Sequence, residues 1–302
     1  MTRPGPTATG GVPAGVAPPP VAWAEVRVEL ERVAARIPPL FAAVCDPAAP
    51  GLGVWNVAEL ATHLSHPWRG LPALARADLP ALIQAAPPGA REGLGTPSGA
   101  MFADIAMLAP WTKVAVAADP ERDLARLAAQ IQDCAARFVA TDHDVDPSPR
   151  PWIVDGIHVP PATFGCHVLN ESLMHGHDIA RAGGGLPWPI EPAAAALVVR
   201  GFLLVVLSQA MSLRPEVGPH FAVDVQLIGD RRFCVVKDAA GMRLEQTSAR
   251  PVDAHLRTDP VSMLLMIWKR RRLVSLVGRG KLVVWGRRPW KALELRSLVP
   301  DV

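Results

Sequence analysis

The sequence predicts a helical bundle followed by a smaller α+β domain. Three observations predict this. Apolar residues recur at helical spacing up to about Leu213, then alternate with a period of two from Phe221. The charge balance changes at the same place: 14 Lys+Arg face 19 Asp+Glu through Ser212, and 17 face 9 from Leu213 onward. The 302 residues are 50% hydrophobic and 20% charged, with a mean hydropathy of +0.20, which suits two packed cores and excludes a disordered chain. The expected division is a disordered tail over residues 1–20, a bundle over 21–213 and an α+β domain over 218–302.

Val21 to Val44 reads as an amphipathic helix, with a break expected at Pro38-Pro39. Asn56 and Glu59 form a capping-box pair, so a helix starts at Val57; Pro67 is expected to stop it just after His66. Prolines recur from Trp68 to Ala118, and one helix around Ser98–Leu108 is expected there. Asp119-Pro120 reads as a cap for a helix running to about Ala140. Pro160-Pro161 opens a helix that Gly183-Gly184-Gly185 closes, and Glu191-Pro192 opens an apolar helix to Leu213. No strands are expected in this part. Beyond Pro215, strands are expected at Phe221–Leu227, Arg232–Lys237, Met242–Thr247, Val252–Arg257, Val274–Val277 and Leu282–Trp285. Helices are expected from Pro260 to Lys269 and from Pro289 to Leu298.

Several function classes recede at this level. Cys45, Cys134, Cys166 and Cys234 are widely spaced with no Cys-x-x-Cys pair, which suits a reducing, cytoplasmic setting. The first twenty residues lack the apolar stretch of a signal peptide. Ala193 to Met211 has the length of a membrane span, but Arg200 sits in its middle, so a buried helix is expected and no membrane span. Lys269-Arg270-Arg271-Arg272 is read as cations favoured at a helix C-terminus, not as a nucleic-acid patch. Gly278-Arg279-Gly280-Lys281 lacks the spacing of a phosphate loop and reads as a turn.

One stretch carries chemistry: Asn170-Glu171-Ser172-Leu173-Met174-His175-Gly176-His177-Asp178. Glu171 and His175 are four apart, so they share a helix face. A carboxylate and an imidazole make two ligands of a zinc-type site, and His63, on the helix from Val57, is the best candidate for a third. Spacing alone leaves a surface ion pair or a core histidine open. His167 is an alternative ligand, but its face with Glu171 and His175 spans ~12 Å, so it is read as pocket lining. His66 is read as capping carbonyls at the helix end, His177 as a surface residue and Cys166 as buried. Asp178 is placed to accept a hydrogen bond from His175 and orient its ring.

Trp55-Asn56-Val57-Ala58-Glu59-Leu60-Ala61-Thr62-His63-Leu64 resembles the first motif of the mycothiol-dependent maleylpyruvate isomerase family, a group of DinB-like four-helix bundles. Glu171-x-x-x-His175-Gly176-x-Asp178-Ile179-Ala180 resembles its second motif, with His177 where relatives often carry Trp. Asp253-Ala254-x-Leu256-x-Thr258-Asp259-Pro260 and Gly280-Lys281-Leu282-x-Val284-x-Gly286 resemble the sterol carrier protein fold. The resemblance implies that His63, Glu171 and His175 bind a divalent metal, most simply zinc, and that mycothiol or a similar thiol is cosubstrate. It implies an isomerase or thiol S-transferase acting on a small electrophile. A monomer is expected, with no nucleic-acid partner. A rival of another class is a binding protein whose C-terminal domain carries an apolar ligand and whose metal is structural.

Overall fold

The computed structural model describes residues 20–216, 218–246 and 251–297. The tail expected over residues 1–20 lies, except for Pro20, outside the described residues.

Helix α1 (Trp23–Ala42) buries Val26, Leu30, Val33, Ile37, Leu40 and Phe41 on one stripe and does not break at Pro38-Pro39. An interior proline costs about 3 kcal/mol. Burying Leu40 and Phe41 in the next turn returns about 1.5–3 kcal/mol each, which offsets much of the cost of the two prolines. A short hairpin of β1 (Pro50–Leu52) and β2 (Trp55–Asn56) follows, where no strand was expected. It delivers Asn56 to the start of α2 (Val57–Ala75), where the reciprocal capping box forms: Glu59 N–H donates to Asn56 Oδ1 at 2.8 Å, and Asn56 N–H donates to Glu59 Oε2 at 3.0 Å. The helix continues through Pro67 and Pro72, because Trp68, Leu71 and Leu74 keep facing the core.

The proline-rich stretch contains α3 (Leu79–Ala85) and α4 (Leu108–Ala118); at the expected Ser98–Leu108 helix there is a single 3-10 turn, Ile105–Met107. Asp123, not Asp119, caps α5 (Leu124–Val139). The carboxylate of Asp119 is occupied in the interior, by Arg69 Nη2 at 2.6 Å and His66 Nε2 at 3.1 Å. A second small hairpin, β3 (Arg150–Pro151) with β4 (His158–Val159), precedes α6 (Pro161–Gly183), which Gly184 ends in the left-handed conformation at φ 67°. Then α7 (Pro192–Val198), a π-helical turn (Val199–Leu203) and α8 (Leu204–Leu213) form one apolar helical run. That run, Pro192–Leu213, is long and apolar enough to cross a membrane, but most of its apolar stretch is buried within the protein. Its Arg200 forms an ion pair with Asp230, Nε lying 2.8 Å from Oδ2.

Helices α1, α2, α5 and α6 pack as a ring in which α1 and α2 each touch both α5 and α6. The remaining strands are β5 (Phe221–Leu227), β6 (Arg232–Asp238), β7 (Gly241–Gln246), β8 (Ala254–Thr258) and β9 (Leu282–Trp285), in the order β7-β6-β5-β8-β9. Only the central β5–β8 pair is parallel. Helix α9 (Pro260–Ile267) follows β8 and packs on α7. The strand expected at Val274–Val277 is instead part of α10 (Leu273–Gly278): only Leu276 turns inward, while Val274 and Val277 face solvent. A 3-10 turn (Pro289–Leu293) leads into α11 (Glu294–Ser297) where one helix was expected from Pro289; its expected end, Leu298, lies outside the described residues. Buried residues from the helical ring and from the sheet belong to one continuous apolar cluster.

Gly176 marks a close approach in α6. A β-carbon there would collide with the indole of Trp188. That ring has nowhere to go: its Nε1 donates to Leu173 O at 3.1 Å, and Arg36 lies over its face, 4.1 Å from the centroid. Gly176→Ala should therefore destabilise the protein by about 1–3 kcal/mol, as overpacking does. Denaturant unfolding measures this; unchanged stability would show that Trp188 is free to shift.

Candidate metal centre

Three side chains predicted from sequence converge between α2 and α6. His63 Nε2 lies 3.3 Å and His175 Nε2 3.2 Å from the same oxygen, Glu171 Oε2. One ligand atom from each of the three lies within 4.8 Å of the others. Bonds of about 2.0–2.1 Å in a tetrahedron put neighbouring ligand atoms roughly 3.3 Å apart, so the two measured separations fit an ion among them. The three side chains are only 11–14% exposed.

Local structure explains the convergence. The capping box fixes where α2 begins and hence the direction of His63, two turns in. Trp68 Nε1 donates to Ser172 Oγ at 3.0 Å, which bolts α2 to α6 beside Glu171. Trp55, held in β2, stacks on the His63 ring at 4.9 Å. The rings of His63 and His175 meet edge to face at 4.8 Å. Nδ1 of His63 is buried without a hydrogen-bond partner.

The other candidates find different places. His167 Nε2 is 3.6 Å from Glu171 Oε1, and its ring stacks on Phe202 at 4.2 Å, so it lines the site beside the triad. Phe202 belongs to the π-helical turn, which re-aims the side chains of its helix. His66 does not cap a helix end, because α2 continues past it; it faces Asp119. His177 is half-buried and outside the triad. Cys166 is fully buried, and burial pushes its thiol up to about 12. Asp178 is buried, but the hydrogen bond expected from His175 is not formed: Oδ2 lies 3.6 Å from Nδ1, which is buried without a hydrogen-bond partner, so the two meet as a charge contact.

Sequence reading gave no role to Asn170, Trp268 or Arg270. Asn170 Nδ2 donates to Glu171 Oε1 at 3.1 Å and its Oδ1 accepts from Trp268 Nε1 at 2.7 Å. Arg270 grips Asp178 with two bonds, Nε to Oδ1 at 3.2 Å and Nη2 to Oδ2 at 2.7 Å. Asn170 was visible beside Glu171. Nothing in the basic run Lys269–Arg272 distinguishes Arg270, and only long-range packing shows that it is half-buried and paired.

No family model matches this chain, and no curated protein matches it. Among solved structures it is similar to a mycothiol-dependent maleylpyruvate isomerase, at 13% identity and a TM-score of 0.44, over 82% of this chain and 88% of that one. A UbiJ-SCP2 ubiquinone synthesis protein matches at 19% identity and a TM-score of 0.28, over 37% of this chain and 93% of that one. A stereoselective inverting sec-alkylsulfatase from a Pseudomonas species matches at 11% identity and a TM-score of 0.30, over 59% of this chain and 28% of that one. These are distant likenesses.

Protonation divides the two histidines of the triad. Burial holds His63 down at about 4, against the pull of Glu171. Burial also opposes charge on His175, but Asp178 and Glu171 outweigh it and raise the ring to about 9. Burial would raise Glu171, yet His175 and His63 hold it well below the usual carboxylate range. Without metal at neutral pH, His63 is therefore neutral, Glu171 ionised and His175 protonated. An entering cation must displace the His175 proton. Apparent zinc affinity should rise about tenfold per pH unit from about pH 5 until it levels near 9, with one proton released per ion. Calorimetry in buffers of different ionisation enthalpy counts that proton. A pH-independent affinity would contradict the assigned protonation states. His63→Ala and His175→Ala should each abolish stoichiometric metal, and full metal content in the double variant would remove the site.

Proposed function

We propose that this protein is a metal-dependent enzyme in which a low-molecular-weight thiol, mycothiol or a close equivalent, adds to a small electrophile. On a cis enoate, addition at the carbon–carbon double bond, rotation and expulsion of the same thiolate give isomerisation. Retention of the adduct gives an S-conjugate. The observation that supports the reading most directly is the convergence of His63, Glu171 and His175 on one point between two helices. The two sequence motifs that contain them support the choice of chemistry.

Bound there, a divalent cation lowers the pKa of a thiol that occupies its remaining position, so that a thiolate is present at neutral pH. His63 and His175 offer Nε2 and Glu171 offers Oε2. Asp178 stands behind His175, its Oδ2 3.6 Å from Nδ1, where its charge favours this orientation of the ring. Trp55 on one side and His167 with Phe202 on the other give the site aromatic walls. Such walls limit water around a reacting thiolate.

A second reading, binding of an apolar ligand away from the triad, has one observation in its favour. A cavity of about 370 Å³ lies between α8 and the sheet, lined by Leu204, Val205, Phe233, Met242 and Leu244 and also by Arg200, Arg231, Arg232 and Arg243. Displacement of a fluorescent fatty acid that is equally strong with and without metal would support this reading over the first.

The deciding experiment incubates metal-loaded protein with mycothiol and a panel of cis enoates and other electrophiles, with mass detection of adducts and isomers. Turnover should require the thiol; an undiminished rate without it would rule out the proposed chemistry. At saturating metal the rate should be low near pH 5 and level off by about pH 7, because neutral ligand histidines and an ionised thiol both favour higher pH. His177→Ala should leave this profile unchanged. Asp178→Ala should weaken metal affinity roughly ten- to a hundred-fold.

A further inference from the structure

The segment after α9 makes a turn with an unusual residue at its apex. Trp268 is the C-cap, and Lys269 adopts the left-handed conformation at φ 59°, where glycine is usual. Lys269 N–H bonds Met266 O at 3.1 Å and Arg270 N–H bonds Leu265 O at 2.8 Å, the pairing of a Schellman turn. A side chain in this conformation is strained, and surrounding contacts must hold it. The turn aims Trp268 and Arg270 at the same helix, α6, from a part of the chain about ninety residues away.

Each makes a relay that ends on a different member of the triad. In the first, the indole N–H of Trp268 can only donate, so it must meet Asn170 Oδ1. That choice turns the amide so that Nδ2 donates to Glu171 Oε1, which leaves Oε2 for the two imidazoles. In the second, the guanidinium of Arg270 holds both oxygens of Asp178, and also bonds Trp268 O at 2.8 Å, joining the two relays at their base. Asp178 Oδ2 in turn faces His175 Nδ1. Asp178 on one side and Glu171 on the other thus face the two ring nitrogens of His175.

We infer that Trp268 and Arg270 are positioning residues for the metal triad: through Asn170 and Asp178 they fix the carboxylate of Glu171 and the ring of His175 in the orientation that takes a cation. This deepens the metal-site reading above and rests on it. The C-terminal part is then needed to complete a site whose ligands all lie in the helical part.

The test uses full-length protein, with zinc affinity from competition against a chromophoric chelator and the visible spectrum of the cobalt(II) form. Arg270→Gln should weaken zinc binding roughly ten- to a hundred-fold and alter the cobalt spectrum. Arg270→Lys keeps the charge but loses the planar fork, and should fall between the wild type and Arg270→Gln. Trp268→Phe removes only the N–H donor and should weaken binding several-fold. Because Arg270 acts through Asp178, Arg270→Gln with Asp178→Asn should bind no more weakly than the weaker single variant. Thermal unfolding of the metal-free proteins separates positioning from packing. Lowered thermal stability with unchanged zinc affinity and cobalt spectrum would overturn the inference. Absence of zinc binding by the wild type would instead overturn the metal-site reading itself.

Discussion

A carboxylate taken out of water must be paired and hydrogen-bonded, and Glu171 sets that requirement for this protein. Leaving one such charge uncompensated costs several kcal/mol. Here His63 and His175 approach one oxygen, while Asn170 and His167 face the other. Those partners come from two helices, so the demand of one side chain fixes how α2 and α6 lie against each other. The Trp68–Ser172 bond holds the same two helices from outside the polar cluster, and the Gly176–Trp188 approach packs the segment after α6 back on that helix.

The same constraint spreads outward. His175 carries a second carboxylate, Asp178, on its far side, and that group is also buried. Its partner is Arg270, with a side chain only 14% exposed. Thus a charge in the helical ring is balanced by one delivered from beyond the sheet. Arg200 and Asp230 make a second cross-connection of the same kind at 2.8 Å. With one apolar cluster running through both parts, separation of the two would expose hydrophobic surface and strand buried charges together. The positive charge excess of the C-terminal part has a structural use in the Arg270–Asp178 pair, whereas Arg200–Asp230 runs with the opposite polarity.

Where expectation and structure part, the reason is usually burial overriding a local signal. Pro38, Pro39, Pro67 and Pro72 each read as a helix stop, yet all four lie inside helices because the next turn has large apolar residues to bury. Asp119 reads as a cap, but Arg69 and His66 claim its carboxylate. Val274 and Val277 suggest a strand by residue type, though their side chains face solvent from a short helix. Reading α2 as ending at His66 also misplaced that histidine. The very short hairpins, two or three residues per strand, carry no alternating pattern long enough to detect.

What the sequence by itself determined was whatever local chemistry or periodicity encodes. The capping box at Asn56 and Glu59, the Glu171/His175 face, the glycine stop after α6 and the change of period before Phe221 all depend on residues a few positions apart. The same proximity made the ligand candidates legible, since His63 lies two turns beyond its cap. Tertiary structure alone decided that His63 faces Glu171 and not solvent, that the proline-bearing helices run on, and that Trp268 and Arg270 reach Asn170 and Asp178. Those outcomes depend on which groups are desolvated together across gaps of ninety residues or more. Desolvation is a property of the packed molecule, and no pattern within a helix or strand records it.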